Sequence, residues 1–304
     1  MDSIQVLKHS TKENYRACIN KFDSFCSEKY NCTITGLLNE VRSIKQEERD
    51  DVFLSVLQDF VNWMVSVNVA TSTVNQYIQI ITYYFSYYGI RIHSIDIRRH
   101  IKKPKKIHEK LHSVTKEEVI QILDNSIEKR KMLYLVLIGT GMRIQECVSL
   151  RKKDFDLKHA KRIKIDIPAI HTKTQTAHTT FVSKEAENFL RPRLESLSNN
   201  DLVFATNDKP FHAKMTEIDA FSRTRKKVSL IEKYDSTNRH KISLHSFRSY
   251  FFTRARRIHD TDIAHAMVGH TTYLGMYDRK DDAEKLELFL KVEPELAVGG
   301  DIRG

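Results

Sequence analysis

The sequence predicts a mainly α-helical protein with one small antiparallel β-sheet, built as an N-terminal helical bundle followed by a mixed α+β domain. Three observations carry this. Apolar residues recur at three- and four-residue spacing through several segments on both sides of a central break, the period of a helix with one buried face. Ile163, Ile165 and Ile167 alternate with Lys164 and Asp166, the two-residue period of a strand, and Thr179 to Val182 reads as its return. Between the two sets of helices lies RRHIKKPKKIHEK, Arg98 to Lys110, with seven Lys or Arg against one Glu and a proline that forbids a continuous helix.

A chain of 304 residues with 40% hydrophobic content is long enough for two buried cores. The expected division is a helical domain over 1–95, a basic linker over 96–112, a larger domain over 113–290 and a tail over 291–304. The formal net charge of +11 points to a polyanion as partner, nucleic acid being the commonest. No apolar run approaches the eighteen residues of a membrane span, and MDSIQVLKHSTKEN lacks a signal-peptide core, so a cytoplasmic protein without membrane contact is expected. Cys18, Cys26, Cys32 and Cys147 lack CxxC spacing, which argues against a zinc module or a disulfide framework. His259, His265 and His270 do not have HExxH intervals, so no metal or other cofactor is expected.

In order, Ser10 and Glu13 can open the first helix as a capping box, with Tyr15, Cys18, Ile19, Phe22, Phe25 and Cys26 as its buried stripe. Lys12, Arg16, Lys21 and Lys29 fall on other faces, as a solvated surface or as phosphate contacts. Asp51 to Val67 repeats the pattern through Val52, Phe53, Val56, Leu57, Phe60, Val61 and Met64. Thr71 to Tyr88 places Val74, Ile78, Ile81 and Phe85 inward, with Gly89 suited to a left-handed exit. Between Arg49 and Arg91 there is no Lys or Arg, so nucleic-acid contacts there would fall to the first helix, to Asn75, Gln76 and Gln79, or to the linker. Within the linker, Lys102, Lys103, Lys105 and Lys106 are candidate phosphate contacts, against the alternative of a solvated tether.

Thr115 and Glu118 can cap the first helix of the second domain, and Met132 to Ile138 is apolar enough to require burial. GlyThrGly at 139–141 breaks that run, and Arg143 follows at the start of the next helix. A charge emerging from a buried segment needs a partner: Glu146 in a structural ion pair, or an anion with Glu146 steadying the arginine. Lys173 lies in HTKTQTAH between the two strands, where an exposed lysine without a role is the plain reading. Ser183 opens a helix through Phe189 and Leu194, and Arg223, Arg225, Lys226 and Lys227 give a later helix a basic face. His245 and Arg248, three residues apart on a first helical turn, leave the same face and can meet one ligand. Ile263, Ala264, Met267 and Val268 form a short helix that Gly269 can end, with His270 just beyond and Tyr277 close behind. Lys285 to Val292 reads as a last helix whose Leu286, Phe289 and Leu290 need a cover, from this chain or from another.

GTGMR, then HSFR, then GH and a tyrosine resembles the signature of the tyrosine recombinases, the phage-type integrases that cut and rejoin DNA through a phosphotyrosine. The ordered set Arg143, Lys173, His245, Arg248, His270, Tyr277 in one basic chain carries the resemblance, and LKVEPEL resembles the tails of archaeal members. The resemblance implies the recombinase fold, an N-terminal core-binding domain that grips double-stranded DNA, a homo-tetramer on two DNA sites, and a C-terminal segment that often docks on a neighbouring protomer. It also implies the role of Lys173 as the family's hairpin lysine.

The residue types fit that chemistry. A phosphodiester is anionic, so a nucleophile approaches only where fixed positive charge and donors meet its oxygens, which Arg143, Arg248 and His270 can do. Tyr277 is the expected nucleophile and Tyr273 its rival. A phenol with a pKa of about 10 needs nearby cations and a base, for which His245 is the candidate, with Lys173 the acid for the leaving 5′-oxygen. Relaxation of DNA by a type IB topoisomerase-like enzyme, or an inactive DNA-binding accessory protein, are the competing functions.

Overall fold

The structure, a computed structural model, describes residues 9–270 and 280–299. The chain forms two compact units, residues 1–109 and 110–304.

The described part of the first unit is five helices: α1 (His9–Tyr30), α2 (Ile34–Ser43), α3 (Gln46–Ser66), α4 (Thr71–Tyr87) and α5 (Ser94–His100). The predicted stripes converge on one aromatic core. Phe22 meets Phe60 edge-on with centroids 4.8 Å apart, and Phe53 stacks on Phe85 at 4.4 Å, pairs that each add about 0.5–1.5 kcal/mol beyond their area. Cys18 and Cys26 are buried in it and free. Two expectations need correcting. The backbone of α1 is already helical at His9 and Ser10, ahead of the expected start, the Ser10 side chain lies outside the described ones, and Glu13 accepts from Arg16 at 2.9 Å. The helix α2, which the expected element list lacks, is capped by Thr33 and buries Ile34, Leu37, Leu38 and Val41.

The predicted linker is partly structured. Its Arg98 and Arg99 lie in the last turn of α5, Ile101 is buried in the first unit's core, and Gln58 of α3 brackets the backbone of Lys102, accepting from its N–H at 2.6 Å and donating to its carbonyl at 3.2 Å. From Lys102 to Thr115 there is no regular structure, and Pro104 bars a helix from continuing out of α5 through this segment. Lys102, Lys105 and Lys106 are exposed and Lys103 half-exposed.

In the second unit, α6 (Lys116–Asp124) begins with the predicted Thr115–Glu118 capping box, and α7 (Glu128–Thr140) is buried continuously from Met132 to its end. Helix α8 (Ile144–Val148) follows. Strands β1 (Phe155–Asp156), β2 (Lys164–Ile167) and β3 (His178–Phe181) form an antiparallel sheet in the order β1-β2-β3, with Ile165 opposite Thr180 and Ile167 opposite His178. Helices α9 (Lys184–Glu195), α10 (Pro210–Lys227), α11 (Leu244–Ile258), α12 (Thr261–Met267) and α13 (Asp282–Leu296) complete it.

Helix α13 covers its own chain. Leu286, Phe289, Val292 and Leu296 are buried against Phe181, Phe251, Ala255, Ala264 and Val268. Polar clamps hold it there: Arg162 grips Glu293 with Nε and Nη2 at 2.9 and 2.6 Å, Glu293 also accepts from the Lys184 N–H at 2.6 Å, and Lys164 meets Asp282 at 3.0 Å.

Candidate active site

Helix α7 is too apolar to end in water, and it terminates instead on a left-handed glycine. Gly141 has φ +65°, and a Cβ there would stand 2.7 Å from the Phe251 ring, so only glycine lets α7 turn this close to α11. The turn delivers Arg143 to the N-cap of α8. There Glu146, 1% exposed, accepts from the Arg143 N–H at 2.8 Å through Oε2 and from its Nη1 at 2.7 Å through Oε1. One carboxylate thus satisfies the helix start and orients the guanidinium.

Helix α11 supplies the second cation from the facing side. Arg248 is 3% exposed, and its Nη1 donates to the Gly141 carbonyl at 2.7 Å. Its Nη2 is buried and has no hydrogen-bond partner. A guanidinium buried with an idle donor is costly unless an anion meets it. Burial first, then the neighbouring Arg143, pulls its pKa down to about 10, with Glu146 opposing.

Three histidines share this field. His245, one turn before Arg248 on α11, is held below its ordinary value by burial and then by Arg248 and Arg143. His270 follows Gly269 after α12; burial, Arg248, Arg143 and His265 push it down to about 4. The third is His178 at the start of β3, lowered by burial and by the same two arginines, with Glu146 opposing. All three are therefore neutral near neutral pH, able to accept or donate a proton but adding no charge.

The sequence reading missed His178. Its ring packs under the turn that presents His270: Gly269 has φ +67°, and a Cβ there would come within 2.6 Å of the His178 ring. The alternating pattern starts the return strand at Thr179, one residue late, and the ladder already pairs His178 with Ile167. His178 and His270 also line a cavity of about 370 Å³ between β3, α12 and α13.

Arg143, His245, Arg248 and His270 thus share one electrostatic neighbourhood. Lys173 stands exposed in the connection between β2 and β3, beside a buried Thr172 whose Oγ1 accepts from the Thr176 N–H at 3.0 Å. Tyr277 and Tyr273 lie outside the described residues. On α10, Arg223, Lys226 and Lys227 are exposed, but Arg225 departs from the expected basic face. It is 7% exposed and donates through Nη1 to the Ile242 carbonyl at 3.0 Å, a fastening of α10 to the segment before α11. Among the described residues no group of three His, Cys, Asp or Glu side chains is disposed to hold a metal, and no helix is long and apolar enough to cross a membrane.

Residues 112–277, more than half of the chain, match the family model described as the phage integrase family. No curated protein matches the chain in sequence. Among solved structures, a lambda integrase dimer bound to a COC′ core site is similar over 92% of this chain and 94% of its own, at 15% identity and a TM-score of 0.61. The Tn1549 transposon integrase in complex with transposon right end DNA is similar over 94% and 95%, again at 15% identity and 0.61. A lambda integrase tetramer bound to a Holliday junction covers 92% of this chain and 76% of its own at 14% identity and 0.61. At these identities the likeness is one of fold.

Proposed function

Since the chain belongs to the phage integrase family, the tyrosine recombinases that cleave and rejoin DNA without metal or ATP, we propose that Arg143, Lys173, His245, Arg248, His270 and Tyr277 are its catalytic set. The observation that carries this is the idle Nη2 of Arg248, buried beside Arg143 among three neutral histidines.

A scissile phosphate set against that donor meets two guanidinium groups and the His270 ring, which offset charge on its non-bridging oxygens as the transition state forms. Glu146 keeps one of the guanidinium groups from swinging to solvent. Tyr277 attacks phosphorus and the 5′-oxygen leaves, giving a 3′-phosphotyrosyl link and a free 5′-hydroxyl. His245, held neutral by burial and by the arginines, takes the phenol proton, and Lys173 donates one to the departing oxygen. The covalent link retains the energy of the broken bond, so a 5′-hydroxyl from a second site can displace the tyrosine. Strand exchange is that reversal.

On this reading residues 1–95 grip double-stranded DNA, the strap over 96–112 tracks phosphates through Lys102, Lys103, Lys105 and Lys106, and residues 113–290 cut. Exposed Arg223, Lys226 and Lys227 add phosphate contacts from α10. The lambda integrase that resembles this chain is described both as a dimer and as a tetramer on DNA, which supports a homo-tetramer on two sites. Such an enzyme works where its DNA lies, in the cytoplasm at the nucleoid; an archaeal element as its source rests on the tail resemblance alone.

The test is covalent capture. The chain is incubated with fragmented DNA from its element and host, denatured, and the attached DNA is sequenced. One recurring sequence joined through its 3′ end is expected; binding without any covalent DNA would contradict the reading.

A further inference from the structure

Helix α12 carries a histidine that the mechanism above does not use. His265 lies on its last turn, and its Nδ1 is 2.8 Å from Nδ1 of His270. The contact is braced from α11: the Phe252 ring packs on His265 with centroids 4.8 Å apart, and the two imidazoles lie 5.0 Å apart at 39°.

A nitrogen-to-nitrogen contact of this length holds one proton, so one Nδ1 donates and the other accepts. When His265 donates, a neutral His270 carries its own proton on Nε2. When His265 accepts, the Nε2 of His270 is a bare lone pair. Only the first arrangement offers a donor to an anionic phosphate oxygen; the second points electron density at it. Burial, then Arg248 and Arg143, keeps His270 neutral, with Glu146 the opposing charge, so the choice lies between these two tautomers.

We propose that His265 is a positioning residue whose Nδ1–H donates to Nδ1 of His270 and so fixes the tautomer that presents an Nε2–H to the scissile phosphate. The proposal deepens the recombinase reading and rests on it for the role of His270. It also predicts which replacements work. His265→Asn sets an amide N–H near the position of Nδ1 and keeps the donation. His265→Asp offers only acceptors there and forces the His270 proton onto Nδ1.

The experiment reads the tautomer directly in the full chain with ¹⁵N-labelled histidine, by two-bond ¹H–¹⁵N correlation, with the His270 signals assigned through their loss in His270→Gln. The wild type and His265→Asn should show His270 protonated on Nε2, and His265→Asp should show it protonated on Nδ1. In parallel, covalent adduct formation on nicked DNA should survive His265→Asn within a few-fold and fall about 10²-fold in His265→Asp, the scale of losing one donor to a developing oxyanion. A wild-type His270 protonated on Nδ1 overturns the proposal without any variant. So does a His265→Asp protein that keeps the Nε2 proton and cleaves normally while His270→Gln does not. A wild type that forms no adduct overturns the cleavage reading instead, and the spectrum still decides the pairing.

Discussion

Glu146→Gln isolates the charge that fastens Arg143 while leaving the shape of the side chain intact. The carboxylate, 1% exposed, accepts from two Arg143 donors at 2.7 and 2.8 Å. A glutamine offers one acceptor and one NH2, so one Arg143 donor must face another donor. Losing a charge-assisted hydrogen bond costs about 1.5–3 kcal/mol. Two effects trim that figure: the neutral amide is easier to bury, and water reaches the Arg143 side chain, which is 23% exposed. A net loss of about 2 kcal/mol is expected, which lowers Tm by roughly 4–8 °C for a unit of this size. Function should suffer more than stability. With Glu146 neutral, its opposition to the arginines at Arg248 and His270 is lost and Arg143 loses the carboxylate that holds it, so adduct formation on nicked DNA should drop about tenfold or more. DNA affinity should hold, because a negative charge has been removed. Thermal unfolding, a gel-resolved adduct assay and a binding titration read the three quantities. A variant with the wild-type Tm and the wild-type cleavage rate would refute the idea that this pair builds the site.

Acid should destabilise the second unit through its site histidines. His178, His245 and His270 are held below their ordinary 6.5, His270 to about 4, so the unfolded chain binds protons that the folded one refuses. That cost is absent above pH 6.5 and grows as pH falls towards 4; the urea midpoint should drop between pH 7 and pH 5, and less so in His270→Gln, whereas equal drops would contradict the assigned field. Replacing Lys102, Lys103, Lys105 and Lys106 with Ala should flatten the log-log salt dependence of DNA binding by about 0.9 per lost phosphate contact, and an unchanged slope would mean a free tether. A 5′-bridging phosphorothiolate leaves without needing a proton, so Lys173→Ala should cleave it far better than ordinary DNA while Arg143→Ala should not be rescued; equal rescue of both would remove Lys173 from the acid role.

What was legible in the sequence is what depends on local spacing. Arg143 after a glycine break, His245 and Arg248 one turn apart and His270 after a glycine are short-range patterns, and the fold sets each one where its spacing points. Glu146 was legible too, as the only acid within a turn of a charge that needed one. His178 was not, because its place depends on packing under Gly269, 91 positions further along the chain, which no local period encodes. Arg225 looks like its basic neighbours in sequence, and the Ile242 carbonyl that receives it inside lies across a loop. The cover on α13 is likewise a match between distant surfaces, Phe181 and Phe251 meeting Phe289 and its neighbours. Helix α2 is a different failure. Ile34, Leu37, Leu38 and Val41 have the helical period, and their shortness beside Gly36 hid it.

Identifying the nucleophile tests the central claim most directly. The full chain is trapped on nicked DNA from which the cut 5′ end diffuses away, the adduct is digested with trypsin and nuclease, and the peptide carrying the residual nucleotide is fragmented in a mass spectrometer. The account predicts the phosphonucleotide mass on Tyr277, with Tyr277→Phe binding DNA at wild-type affinity and forming no adduct. The mass on Tyr273, or no covalent peptide from a protein that binds the site tightly, would contradict it.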